Sequence, residues 1–222
     1  MSEYEFVTVH DSAVTNADPD SMVTVAVDTS GPAICYNMTD AEFRRIVLTL
    51  RDDAVKLIEL RIQELSGWSF DAQTRVKRWF GYAGEDIRAK LVGGLKALVL
   101  VMNGLGARNF VRVDSEQDKA TGCVPGSKNL DGEVAHVCAP DTASHTIAIN
   151  RNFCDLPQKS ASKLSSMQLT IVHECTHFAD TFGSLDVPGG YGYTSCTWLA
   201  RDYADRSIHN ADSIAWYILA RH

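Results

Sequence analysis

The 222-residue sequence has no apolar run approaching the roughly 18–20 residues that a membrane-spanning helix needs. It has no cluster of Lys and Arg, and its net charge of −7 disfavours nonspecific binding to nucleic acid or to an anionic membrane. The opening residues Met1 to Phe6 carry neither the basic region nor the apolar stretch of a Sec signal peptide. None of the six cysteines (35, 123, 138, 154, 175 and 196) stands in a CxxC pair, which removes a structural zinc ribbon. Internal repeats and low-complexity segments are missing as well, and no glutamate follows Glu174.

What is present fits a soluble globular chain, 45% hydrophobic and 22% charged, long enough for one core or for one core with a smaller helical lobe. An even cysteine count with a cluster at 123, 138 and 154 favours two or three disulfides over buried thiols, and hence an oxidising destination. A Cys175–Cys196 bridge would pin the segment after the metal motif to its helix; the alternative is a pair of buried thiols.

Short β-branched stretches occupy residues 1–38, where Val23, Val25 and Val27 alternate as in a half-buried strand. Thr39 and Glu42 then form a capping box, and Phe43, Ile46, Val47, Leu50, Ile58 and Leu65 follow at helical spacing until Gly67. Further helices are predicted over 71–80 and 85–105, the second with a Gly93-Gly94 pair that permits close packing. Strand-like patterns span 110–113, 134–137 and 146–150, separated by turn segments such as 125–127. A helix is predicted from a Ser165/Gln168 capping box to Phe182, with Gly183 ending it, and residues 194–221 read as further helix. The order is that of an α+β protein. Trp68, Trp79, Trp198 and Trp216 are expected in the core, His136 is expected to be structural, and His145 to lie in a turn.

The chemistry lies in His173-Glu174-Cys175-Thr176-His177. Histidines four apart on a helix project from one face and can hold one ion, while the intervening Glu reaches a metal-bound water as base. A random HExxH in a chain of this composition has a probability of about 0.01, so the downstream sequence has to supply the argument. A catalytic zinc needs a third protein ligand and one open position. The metzincin pattern fails, because Asp180 and Gly183 stand where it requires Gly and His. The remaining candidates are Asp180, Asp186, Asp202, Asp205, Asp212 and His209. Asp180 is predicted on the same helix, whereas Asp186 follows the Gly183 stop by three residues, where a reversing chain could return its carboxylate.

His173 to His177, then Gly183-Ser184-Leu185-Asp186, Tyr191-Gly192 and the Asn210-Ala211-Asp212-Ser213 segment together resemble the aspzincins, the deuterolysin and peptidyl-Lys metalloendopeptidase family. The resemblance covers roughly residues 40–222. It implies a zincin-like fold, with a helical N-terminal lobe, a small sheet, an HExxH helix and C-terminal helices. Residues 1–38 would be an N-terminal extension and 39–222 a single catalytic domain. It implies one zinc ion on His173, His177 and Asp186, and Glu174 as general base. The Tyr of the YG pair, Tyr191, would hydrogen-bond the oxyanion. The Asp-to-Tyr spacing is two residues longer than the family's, which leaves Tyr193 as the rival. Asp212 would be the first of two acids that read a Lys at P1′; Ala215 stands at the place of the second.

The expected activity is a monomeric zinc metalloendopeptidase acting on protein or peptide, with no nucleic-acid or membrane partner. It would be secreted, or delivered by a specialised secretion system against which the producer would carry an inhibitor or immunity protein. Two other functions could use the same centre: a zinc amidase acting on peptidoglycan or another non-protein amide, and an inert zinc-binding interaction protein. Glu174 argues against the last, because a structural site has no use for the base.

Overall fold

Thr39 caps the first helix as the sequence predicts, its Oγ1 accepting the Glu42 N–H. That helix, α1 (Asp40–Gly67), turns Phe43, Val47, Leu50, Ala54, Ile58 and Leu65 inward, each no more than 1% exposed. The helical spacing of these residues puts them on one stripe, and each large side chain buried there contributes about 1.5–3 kcal/mol. The residue that closes the helix in the left-handed conformation is Trp68 (φ 46°), one beyond the expected Gly67. The computed structural model describes residues 4–10, 22–28, 32–123 and 132–220.

Helices α2 (Phe70–Phe80) and α3 (Glu85–Gly104) fall within one residue of expectation. Of the Gly93-Gly94 pair only Gly94 is used for packing, and its neighbour is a side chain rather than a helix. A Cβ there would sit 2.3 Å from the Phe182 ring, while Gly93 faces open space.

Strands β1 (Tyr4–His10) and β2 (Met22–Asp28) pair antiparallel, β2 carrying the alternating valines. A second sheet has the order β3-β5-β4, from β3 (Phe110–Arg112), β4 (Ala135–Val137) and β5 (Ile147–Ile149). The central strand β5 is fully buried, parallel to β3 and antiparallel to β4, which leaves β4 as an edge. A short helix, α4 (Glu116–Ala120), follows β3. The turn expected at 125–127 lies outside the described residues.

Helix α5 (Met167–His177) departs from expectation at both ends. Its cap is Ser166, whose Oγ accepts the Leu169 N–H, not Ser165. It ends at His177, not Phe182, because the following chain takes over its last carbonyls: the Thr181 hydroxyl donates to Cys175 O (2.8 Å) and Ser184 N–H to Thr176 O (3.0 Å). The C-terminal helical region forms three pieces, α6 (Tyr193–Asp202), α7 (Ala204–Ser207) and α8 (Ala211–Leu219).

The core lies between α1, α3, α5 and α8. Two buried arginines, Arg61 and Arg75, donate to Ile218 O (3.2 Å) and Ala220 O (2.8 Å), satisfying carbonyls at the end of α8 and fixing its axis. Trp79 and Trp216 stack with centroids 6.3 Å apart. Trp198 is not in the core: α6 turns Cys196, Leu199 and Ala200 inward, which leaves Trp198 59% exposed.

Disulfides join Cys35 to Cys154 and Cys123 to Cys138. Cys175 and Cys196 remain free and buried, so the bridge considered between them does not form. Cys196 Sγ donates instead to Gly190 O (3.0 Å). Among the described residues, no helix is long and apolar enough to cross a membrane.

Candidate active site

The last turn of α5 places His173 and His177 on one face with Glu174 beside them, and both His173 and Glu174 are buried. The reversal through Thr181 and Ser184 then brings Asp186 across from the rings. Asp186 Oδ1 lies 3.1 Å from His173 Nε2 and 3.5 Å from His177 Nε2, and the two Nε2 atoms are 3.2 Å apart. Among the described residues this is the set of side chains able to hold a metal ion. A tetrahedral zinc with bonds of about 2.0–2.1 Å has ligand–ligand edges of about 3.3 Å, so the three donors match one face of such a polyhedron and leave its fourth vertex open.

Each imidazole is held from behind. His173 Nδ1 lies 2.7 Å from Asp212 Oδ1, and His177 Nδ1 lies 2.9 Å from the Ser184 carbonyl. Such partners fix the ring tautomer and turn each Nε2 toward the point where the three donors meet. Ser184 is itself anchored, its Oγ 2.7 Å from Thr176 Oγ1. Leu185 forms a parallel bridge with Asn210, through Leu185 N–H to His209 O (2.7 Å) and Ala211 N–H to Leu185 O (3.0 Å). Asn210 then clamps the following loop, accepting Val187 N–H (3.2 Å) and donating to Gly190 O (2.9 Å). At the end of that loop Gly192, at φ +81°, donates its N–H to Asp212 Oδ2 (2.5 Å). An L side chain would be strained in that conformation.

The electrostatics follow from burial among charges. Burial pushes the Glu174 carboxyl up to about 7, against the pull of the two histidines, which places it where a base and acid at neutral pH should lie. Burial disfavours a charged His173 ring, but hydrogen bonds to Asp186 and Asp212 and the charge of Glu174 outweigh it and carry the ring to about 10. Burial likewise opposes ionisation of Asp186, yet its hydrogen bonds to both histidines hold it well below the usual carboxylate range. Three carboxylates thus surround two imidazoles, a field that favours a cation.

The two tyrosines separate. Tyr191 lines the cleft, its ring stacked 6.1 Å from that of His173. Burial and the Asp186 carboxylate raise its pKa, so the hydroxyl stays a donor. Tyr193 packs edge-on against Trp79 and Trp216, at 5.0 and 5.3 Å. The other metal candidates lie elsewhere. Asp180 is off the helix and pairs with His145 (3.0 Å), a residue at φ 47° in a turn. Asp202 pairs with Arg201, and the His209 ring meets Lys90 (3.0 Å). Asp212, expected to face a substrate side chain, has both oxygens engaged within the protein. The supporting roles of Ser184 and Asn210 are not visible in the sequence, since they depend on chain reversal. An Asn at the entry to an apolar helix is the one local signal.

The cleft around these residues encloses about 730 Å³, with β4 along one wall. Residues 69–219 match the family described as lysine-specific metallo-endopeptidase. A search of curated proteins finds no match. Among solved structures, a zinc peptidase from Grifola frondosa has the same fold, with a TM-score of 0.60 and 18% identity, covering 80% of this chain and 94% of that one. The chain belongs to the aspzincin family and is a zinc metalloendopeptidase.

Proposed function

We propose that His173, His177 and Asp186 hold a single zinc ion and that Glu174 is the general base of peptide hydrolysis. The observation that carries this reading is the convergence of the three donor atoms within 3.1–3.5 Å, with Glu174 buried beside them. Zinc, when bound, supplies a Lewis acid that acidifies water toward a pKa of about 7 and polarises a carbonyl. Glu174 takes the proton of the attacking water and returns it to the leaving amine. The Tyr191 hydroxyl, protonated and at the cleft, donates to the oxyanion as it develops. Asp212 serves as a positioning residue, holding His173 with one oxygen and the Tyr191-Gly192 segment with the other.

The substrate is an extended protein or peptide segment, with a preference for a basic or polar P1′ residue. The two disulfides support a working life outside a reducing cytosol, by secretion or by delivery into another compartment. The test is Glu174→Gln. The variant is expected to bind one zinc per chain with unchanged affinity, and to lose roughly 10²–10⁴-fold in kcat. Retained turnover would overturn the assignment.

A further inference from the structure

The loop between Asp186 and Tyr191 is two residues longer than the family's spacing. Its residues Val187-Pro188-Gly189-Gly190 form a tight turn, closed by the Gly190 N–H on Val187 O (2.8 Å). Pro in the second place and Gly189 in the third, at φ +77°, follow the pattern of a type II turn. Such a turn takes up the extra length, but it does not fix where its last residue sits.

The anchors come from elsewhere in the chain. The Gly190 carbonyl accepts from two buried side chains, Asn210 Nδ2 (2.9 Å) and the Cys196 thiol (3.0 Å). They are 2% and 0% exposed. Asn210 spans the turn, because its Oδ1 also takes the Val187 N–H (3.2 Å). The approach is so close that a Cβ on Gly190 would lie 2.8 Å from that Oδ1. Cys196 reaches the same carbonyl from the first turn of α6. Its own N–H donates to Gly192 O (3.0 Å). One residue thus holds position 190 with its side chain and position 192 with its main chain, on either side of Tyr191.

Tyr191 needs such a frame. Its side chain is 55% exposed and its ring contact is the His173 imidazole. It stands between two glycines, whose backbones have wide conformational freedom. A donor to a developing charge has to be held in place before the reaction begins. Burial, helped by the Asp212 charge, pushes the Cys196 thiol up to about 12, so it stays protonated and donates. Fully buried, the thiol offers nothing to a substrate.

We propose that Cys196 is a positioning residue for the oxyanion donor, bracketing Tyr191 through the Gly190 and Gly192 carbonyls. The inference rests on the peptidase reading, with Tyr191 in the oxyanion role.

The test measures kcat and KM of the zinc-loaded enzyme on one peptide. Cys196→Ala removes the donor and keeps the main-chain bond. Its kcat should fall by roughly 3- to 10-fold, with KM within about twofold and zinc affinity unchanged. Cys196→Ser restores a donor and should return kcat to within about twofold of the wild type. The deciding measurement is the double-mutant cycle with Tyr191→Phe. Once the hydroxyl is gone, Cys196→Ala should cost no further turnover, whereas a merely structural role costs the same factor in both backgrounds. Cys196→Val fills the space without a donor and serves the cycle if the alanine variant does not fold. Wild-type kcat in Cys196→Ala, equal losses in the Ala and Ser variants, or additive losses in the cycle would each overturn the proposal. Glu174→Gln tests the peptidase reading by itself. Wild-type kcat in Tyr191→Phe would remove the oxyanion role and this proposal with it. A large loss there with an additive cycle leaves the peptidase reading standing and overturns this one alone.

Discussion

Beneath the proposed metal ligands, His173 Nδ1, His177 Nδ1 and both Asp212 oxygens have protein partners, whereas on the β4 wall His136 Nδ1 and Glu133 Oε2 are buried without a hydrogen-bond partner. The first region is built so that nothing is left to bind except at the point where three donors meet. The second is left incomplete. A fully satisfied polar network holds its geometry, and a buried group left unpaired costs stability.

The largest effect expected in the satisfied region is from Asp186→Ala, which removes one of three donors. Turnover should fall to background and zinc should be lost to a competing chelator at far lower concentration; tight zinc binding in the variant would remove Asp186 from the ligand set. Tyr191→Phe should cost roughly 10²–10³-fold in kcat through loss of the oxyanion donor. Tyr193→Phe, altered within its tryptophan packing, should stay within about twofold; the reverse order would exchange the two roles. Asp212→Asn keeps the shape but weakens the hold on His173, and should lower zinc affinity or activity by roughly 10- to 100-fold on peptides with Lys or norleucine at P1′ alike. A selective loss on the Lys peptide would return Asp212 to substrate recognition.

Acid should act on the satisfied side too. Glu174 must be ionised to accept a proton, so kcat/KM is expected to fall as pH drops through its pKa, about 7 or lower once a cation adds to the pull of the histidines. An acid limb that survives unchanged in Glu174→Asp and Glu174→Gln would belong to another group. The smallest expected effects are on stability. Gly94→Ala drives a Cβ to 2.3 Å from Phe182, at the start of the turn that carries Asp186, and should destabilise the fold by about 1–3 kcal/mol. Gly93→Ala faces open space and should gain up to about 1 kcal/mol. Thermal melts of the pair measure the difference.

Much of this arrangement is legible in the chain. The α1 stripe, its Thr39 cap and the spacing of His173, Glu174 and His177 are local patterns, and local hydrogen bonds realise them. What escapes a sequence reading depends on distant partners. The early end of α5 follows from Thr181 and Ser184 folding back, which no propensity records. Asp212 in sequence is only an acid in a first helical turn; its meeting with His173 comes from the packing of α8 on α5. The outward face of Trp198 and the free thiols at Cys175 and Cys196 depend on how α6 rolls against its neighbours.

The Cys35–Cys154 bridge closes 119 residues of sequence into a covalent ring that holds α1, α2, α3 and the whole of the β3-β5-β4 sheet. Closing a loop of that size restrains the unfolded chain by about 4–5 kcal/mol. A peptidase also works in a solution of its own kind, each molecule a substrate for the next. A single cut within the ring leaves its two pieces tied together, so the helices around the core stay at high effective concentration and a nicked molecule can still hold its shape.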